Sequence, residues 1–384
     1  MPSTVLTTTA SFTGSASVMI GMDSSANPNP AITCTNAAVK MAAATTMSCV
    51  AVTSHESATY AGAVDGLAVI DPDTTDAPAR IDRACRSLGF FAVPLPTALR
   101  PLRDEVMACA AEFFALPQDV KEQVSMTRGG PAWRGWFPLG GELTSGVPDR
   151  KEGYYFGAEL PPDPRPMHGP NLWPQHPARM ADLVTRWMQG METLGQQLLS
   201  SMATGLGLPA DHFRKGLTAA PTPLFRIFRY PPHPEGDTAT WGVGEHSDYG
   251  LLTLLVTDGT PGLEVKGPSG WTPAPADADL VICNLGDMLD RMTGGRYRST
   301  PHRVRNHAGH DRYSLPFFLD PGWEAVVEPI EFDDGWAEPL DAQQRWDRAN
   351  LRDIGGTYGD WLGAKVAKVF PDLSAEVGAQ RDNV

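Results

Sequence analysis

The sequence predicts a mainly β protein with flanking α-helices: a jelly roll of two packed sheets, braced by helices. Three observations predict it. First, strand-like runs punctuated by Pro and Gly follow one another at 224–230, 251–256, 262–265, 280–285, 303–306 and 313–319, the pattern of an antiparallel β architecture. Second, residues 180–206 carry Leu183, Trp187, Met191, Leu194, Leu198 and Met202 at three- and four-residue spacing. That is the stripe of one long helix laid against a sheet. Third, the helices before it would have no core without the barrel, so 67–384 reads as one domain. Within it, 67–220 is a helix and strand layer, about 222–330 the jelly-roll core, and 340–372 a C-terminal helix.

Taken in order, residues 1–66 are rich in Ser, Thr and Ala, hold few charges and show no sustained periodicity. A segment that buries so little apolar surface does not offset its ordering entropy, so a disordered extension is expected. A plastid-type or other targeting segment, or a true start at Met41 or Met47, are the other readings. The folded part opens with a short strand at 67–71 and a helix at 79–88 that Gly89 ends. A strand at 90–93 and a helix at 98–116 follow; the helix has Leu99, Leu102, Val106, Cys109, Ala110 and Phe113 along one side, and Pro117 marks its end. Residues 129–173 are rich in Gly, Pro and Trp and read as loops and irregular strands. Their Asp149-Arg150-Lys151-Glu152 stretch reads by itself as a surface loop with aromatics packed beneath it. The long helix stops at Gly207-Leu208-Pro209, and 341–369 is again helical.

Composition sets bounds. The 384 residues are 42% hydrophobic and 20% charged, with a formal net charge of -14. That balance argues against a nucleic-acid groove and against docking on anionic lipid. No apolar run approaches the roughly 18 residues of a spanning helix. The five cysteines form no CxxC pair and no zinc spacing, which suits a reducing compartment. Cys283, inside an apolar run, reads as core.

The chemistry concentrates between His246 and Ser314. His246 and Asp248 stand at i and i+2, and on a strand alternate side chains reach one face. His302 lies beyond any helical repeat with them, so only a folded sheet brings it near. Two imidazoles and one carboxylate suit a mononuclear non-haem iron(II) centre with an open face. Arg312 and Ser314 also alternate onto one face, where a guanidinium and a hydroxyl suit a carboxylate. Arg226, Phe228 and Tyr230 share a face of one predicted strand. Arg226 there either pairs with an internal carboxylate or meets an acidic ligand. His307 and His310, on a polar turn, are expected to be exposed, and His168 to lie in a loop.

These motifs resemble the isopenicillin N synthase-like branch of the iron(II)- and 2-oxoglutarate-dependent oxygenases. The resemblance rests on His246-x-Asp248, His302 and Arg312-x-Ser314, and extends to Arg229-Tyr230-Pro231-Pro232, Asn284-Leu285-Gly286-Asp287 and Thr293-Gly294-Gly295-Arg296-Tyr297-Arg298-Ser299. It spans about residues 66–372, and it implies that Asp149-x-Lys151-Glu152 lies at the mouth of the pocket. It implies a double-stranded β-helix core. It also implies iron(II) on His246, Asp248 and His302, and 2-oxoglutarate held by Arg312, Ser314 and Tyr230. O2 would be the second co-substrate and ascorbate a reductant. Arg226, Phe228 and Phe317 are the candidates for the substrate pocket, and no further catalytic residue is expected. Plant members often carry Asn two positions before the matching Tyr; here Phe228 stands there, which thins the carboxylate clamp.

The implied activity is oxidation of a small molecule by hydroxylation, desaturation or cyclisation, with release of succinate and CO2. The alternatives are an isopenicillin N synthase-type oxidase that does without 2-oxoglutarate, an ethylene-forming turnover of 2-oxoglutarate itself, and a non-catalytic metal-binding barrel. The expected context is a cytoplasmic monomer or weak homodimer without nucleic acid or membrane. Fold does not fix the substrate.

Overall fold

Runs of β-branched and aromatic residues set the frame, and the helices cover it. The computed structural model describes residues 63–64, 66–234, 239–332, 335, 351 and 355–370, all within one unit, Tyr60–Val384. The expected disordered extension, and the part of the C-terminal helix expected before 355, lie outside the described residues apart from a few positions.

In chain order, β1 (Ala63–Val64) pairs with β2 (Leu67–Ala68), then come α1 (Ala77–Ser87), β3 (Phe90–Pro94), α2 (Arg100–Phe114), α3 (Gln118–Lys121) and β4 (Gly135–Phe137). A hairpin of β5 (Leu143–Thr144) and β6 (Val147–Pro148) precedes β7 (Glu152–Gly157). Next are α4 (Met180–Gly205), α5 (His212–Lys215), β8 (Thr222–Tyr230), β9 (Val243–His246), β10 (Leu252–Thr257), β11 (Leu263–Gly267), β12 (Gly270–Pro273) and β13 (Leu280–Leu285). The chain ends with α6 (Asp287–Met292), β14 (His302–Val304), β15 (Arg312–Asp320) and α7 (Tyr358–Val369).

Two sheets carry the fold, a jelly roll. The larger runs β3-β13-β10-β15-β8-β7-β4 and the smaller β12-β11-β14-β9, with neighbours antiparallel. The expected strands are present with ends shifted by one to three residues. The loops and irregular strands expected over 129–173 include the short β4, β5 and β6, and also one regular strand that the sequence does not single out: β7, six residues buried throughout and paired with β8 in the large sheet. Its Gly and Glu positions hid it, because they weaken the apolar signal of a strand that is packed on both faces.

The helices obey their sequence signals. Gly89 takes φ 70°, and its N–H reaches the Ala84 carbonyl at 3.0 Å to close α1. The six stripe residues of α4 are all buried, and α4 lies against β8, β10 and β15. Gly195 permits that approach, since a Cβ there would sit 2.8 Å from Leu319 Cδ2. Leu319 belongs to the odd-numbered face of β15, so the even-numbered face turns the other way, toward the site.

Candidate metal centre and pocket

His246 is the last residue of β9, and β14 sets His302 directly opposite it. The two rings lie 4.2 Å apart between centroids. Asp248 does not share a strand with His246. β9 stops at His246, and Asp248 lies in the irregular segment that follows, just before a bend at Tyr249-Gly250. Asp248 Oδ1 is 3.8 Å from Nε2 of each histidine, and the three candidate donor atoms all lie within 4.8 Å of one another.

The surroundings fix which atoms face inward. His246 Nδ1 lies 2.8 Å from the Gly244 carbonyl and His302 Nδ1 3.3 Å from that of Thr300. Carbonyls only accept, so each Nδ1 carries the proton and each Nε2 lone pair faces the shared space. Asp248 Oδ2 accepts from Thr253 Oγ1 at 2.5 Å and Asn284 Nδ2 at 2.7 Å, leaving Oδ1 for the histidines. Such partners orient ligands in metal sites. Burial, then His246, pushes the His302 imidazole down to about 4, which keeps it neutral. Burial opposes ionisation of Asp248, yet the two imidazoles and its two hydrogen bonds hold it below its ordinary value. Sequence reading assigned no role to Thr253 or Asn284. The Asn284 motif was visible, but only the fold shows its amide on Asp248.

One end of the pocket carries a second polar group. Arg312 is 1% exposed, donates through Nε to the Thr260 carbonyl at 3.1 Å, and leaves Nη1 buried without a partner. Burial lowers its pKa. Register puts Tyr230 opposite Arg312, and Ser314 Oγ lies 3.4 Å from the Tyr230 hydroxyl. The predicted clamp residues therefore meet in one corner. A buried guanidinium with an unpartnered Nη1, beside two hydroxyls, suits a carboxylate.

The cavity that joins both ends has a volume of about 460 Å³. Arg226 and Phe228 line it, but Phe317 does not. Phe317 is fully buried on the odd-numbered face of β15, while Pro316, Phe318 and Asp320 face the cavity. Alternation from Arg312 and Ser314 excludes an odd position, so Phe317 is corrected to core packing. Sequence reading also passed over Glu142, Lys151 and Asp320. Lys151 Nζ contacts Asp149 Oδ2 at 2.6 Å and Glu142 Oε2 at 2.9 Å. Asp149, Lys151 and Glu152 are buried, and of that stretch Lys151 lines the cavity. His307 and His310 are exposed and His168 is half-buried in a loop, away from the metal residues.

Comparison with known proteins agrees with this geometry. Residues 221–321 match the 2OG-Fe(II) oxygenase superfamily, and residues 64–176 match the family described as non-haem dioxygenase in morphine synthesis N-terminal. A probable iron/ascorbate oxidoreductase of Dictyostelium discoideum is 39% identical over 325 residues, covering 77% of this chain and 90% of that protein. A homoarginine-6-hydroxylase of Oryza sativa subsp. japonica is 33% identical over 282 residues, covering 71% and 86%. The crystal structure of full-length Neurospora crassa T7H in complex with alpha-KG and thymine superposes with a TM-score of 0.67 at 26% identity, covering 81% of this chain and 99% of that one.

Proposed function

Because the chain belongs to the 2OG-Fe(II) oxygenase superfamily, we propose that His246, Asp248 and His302 hold its iron(II), and that Arg312, Ser314 and Tyr230 hold its 2-oxoglutarate. The protein is an iron(II)- and 2-oxoglutarate-dependent dioxygenase that oxidises a small molecule. One observation carries the residue assignment. Two Nε2 atoms and one carboxylate oxygen face a common space, in the same cavity as an orphaned Arg312 Nη1. The donor set fits iron(II), whose facial triad needs two imidazoles and one carboxylate with the opposite side open.

When bound, iron(II) lets O2 oxidise the substrate while 2-oxoglutarate is lost as succinate and CO2. The chain's own residues do the rest. Gly244 and Thr300 carbonyls fix the imidazole tautomers. Thr253 and Asn284 turn the Asp248 carboxylate. Arg312 and the hydroxyls of Ser314 and Tyr230 anchor the far carboxylate of 2-oxoglutarate, with Phe228 in the place of the plant Asn. Arg226 and Phe228 form part of the substrate wall. Leu362 and Val366 of α7, with Phe370 just beyond its end, line the cavity.

The domain reading places all of this in one oxygenase domain over 67–384, working as a cytoplasmic monomer or weak homodimer without nucleic acid. The net charge of -14 supports the last point. Among the described residues no helix is long and apolar enough to cross a membrane. The direct test measures succinate formed from 2-oxoglutarate with and without iron(II). Metal-dependent succinate is expected, and its absence at saturating iron(II) would refute the assignment.

A further inference from the structure

Several cations on or beside the cavity wall have carboxylate partners: Lys151 pairs with Glu142 and Asp149, Lys121 with Glu152, and Arg229 with Glu152 and Asp311. The two arginines that line the cavity each keep one buried nitrogen without a hydrogen-bond partner, Nη1 of Arg312 and Nε of Arg226. Arg226 sits on β8 and lines the cavity. Its guanidinium carbon lies 4.0 Å from the Tyr155 ring centroid and 4.7 Å from that of Phe318. Two rings of this kind hold a guanidinium in place and leave its edge for recognition, the geometry that suits a planar two-oxygen acceptor.

The neighbouring carboxylates, Glu142 and Asp320, both feel the Arg226 charge, but each has a closer hydrogen-bond or ion-pair partner. Glu142 accepts from the Tyr155 hydroxyl and pairs with Lys151. Asp320 accepts from the Tyr358 hydroxyl at 2.6 Å, and burial pushes its carboxyl up to about 7. Nor can 2-oxoglutarate serve both arginines. Arg312 is registered with Tyr230, four residues along β8 from Arg226, and four strand residues span about 13 Å. Two separated arginines, each with an unpartnered nitrogen at the cavity, call for two anions.

We propose that Arg226 binds a carboxylate of the primary substrate, so that the substrate is a small organic acid. This rests on the oxygenase reading above and names the substrate class of the same pocket. Position supports it. Phe318 is registered with Thr253 on β10, and Thr253 holds Asp248. Two strand spacings, about 10 Å, separate β8 from β10. An acid anchored at Arg226 therefore presents a carbon several bonds from its carboxylate to the metal residues.

The test uses the enzyme loaded with iron(II) and saturating 2-oxoglutarate, kept anaerobic so that nothing turns over. Calorimetry compares aliphatic and aromatic carboxylic acids, each matched with its primary amide. The wild type is expected to bind at least one acid about ten- to a hundredfold more tightly than its amide, the worth of a charge-assisted hydrogen bond. Arg226→Gln should bring that ratio to near one, and Arg226→Lys should keep part of it. An acid set in which no member outbinds its amide, or a ratio that survives Arg226→Gln, overturns the proposal. The wild-type comparison stands even if a variant fails to fold. Succinate formation by the aerobic wild type is scored separately. Succinate without any acid preference refutes Arg226 alone, whereas acid preference without succinate refutes the enzyme reading and leaves the acid site.

Discussion

At the scale of single residues, the ligand set and the clamp separate cleanly. Each of His246→Ala, Asp248→Ala and His302→Ala should abolish iron-dependent succinate formation while leaving the circular dichroism spectrum of the wild type. A variant that still turns over at saturating iron(II) would leave the ligand set. Arg312→Lys keeps the charge and loses the planar fork. Losing one charge-assisted hydrogen bond costs about 1.5–3 kcal/mol, so the apparent affinity for 2-oxoglutarate should fall roughly ten- to a hundredfold. Iron affinity should hardly move, since Arg312 is bound to the Thr260 carbonyl and not to the ligand histidines. Saturating 2-oxoglutarate should restore much of the rate. An unchanged constant for 2-oxoglutarate beside a weakened one for the substrate would instead favour the isopenicillin N synthase-type role of this arginine.

At the scale of elements, β15 and α7 are joined through one buried pair, Asp320 and Tyr358. Burial raises the Asp320 carboxyl to about 7, well above an unfolded value of about 3.9. A raised carboxyl pKa means that the folded state binds the extra proton. Its contribution to stability is therefore full below about 4 and is lost as pH rises toward 7. Asp320→Asn keeps an acceptor for the Tyr358 hydroxyl and removes the ionisation. Its melting temperature should exceed that of the wild type at pH 8, by an amount worth a few kcal/mol at most, and match it near pH 4. His302 works in the opposite direction, since its lowered pKa withdraws stability as pH falls from about 6.5 toward 4. A single mutant resolves what a wild-type pH profile blends. The elements also show what was legible beforehand. The α4 stripe and the strands after Thr222 could be read because their apolar period is regular. β7 could not, because Glu152 and Gly153 interrupt it and only its partners Arg229 and Phe228 explain them. The histidines and Arg312 were legible as motifs. Asp248 was legible as part of His-x-Asp, but its aim was not, since it lies beyond the end of β9 and its carboxylate is held by Thr253 of the next strand and Asn284 of β13.

At the scale of the whole molecule, composition predicts that the residues before about Gly66 contribute no part of the site. Their deletion should leave iron-dependent succinate formation within about twofold of the full chain, and a truncated protein that precipitates or is inactive would contradict this. The placement of the metal residues has a wider consequence. His246 and His302 ride on the small sheet, whereas the Asp248 carboxylate is fastened to Thr253 and Asn284 of the large one. An ion held by all three is then a clasp between two halves of the barrel, and its removal should be felt mechanically as well as chemically. Binding to the folded state alone adds about 2.7 kcal/mol at a hundredfold excess over the dissociation constant. Hydrogen exchange should register this unevenly. Adding iron(II) under anaerobic conditions should slow the amides of β9 and β14 far more than those of β13 or β8. Chelation should reverse the effect, letting the small sheet breathe while the large one stays shut.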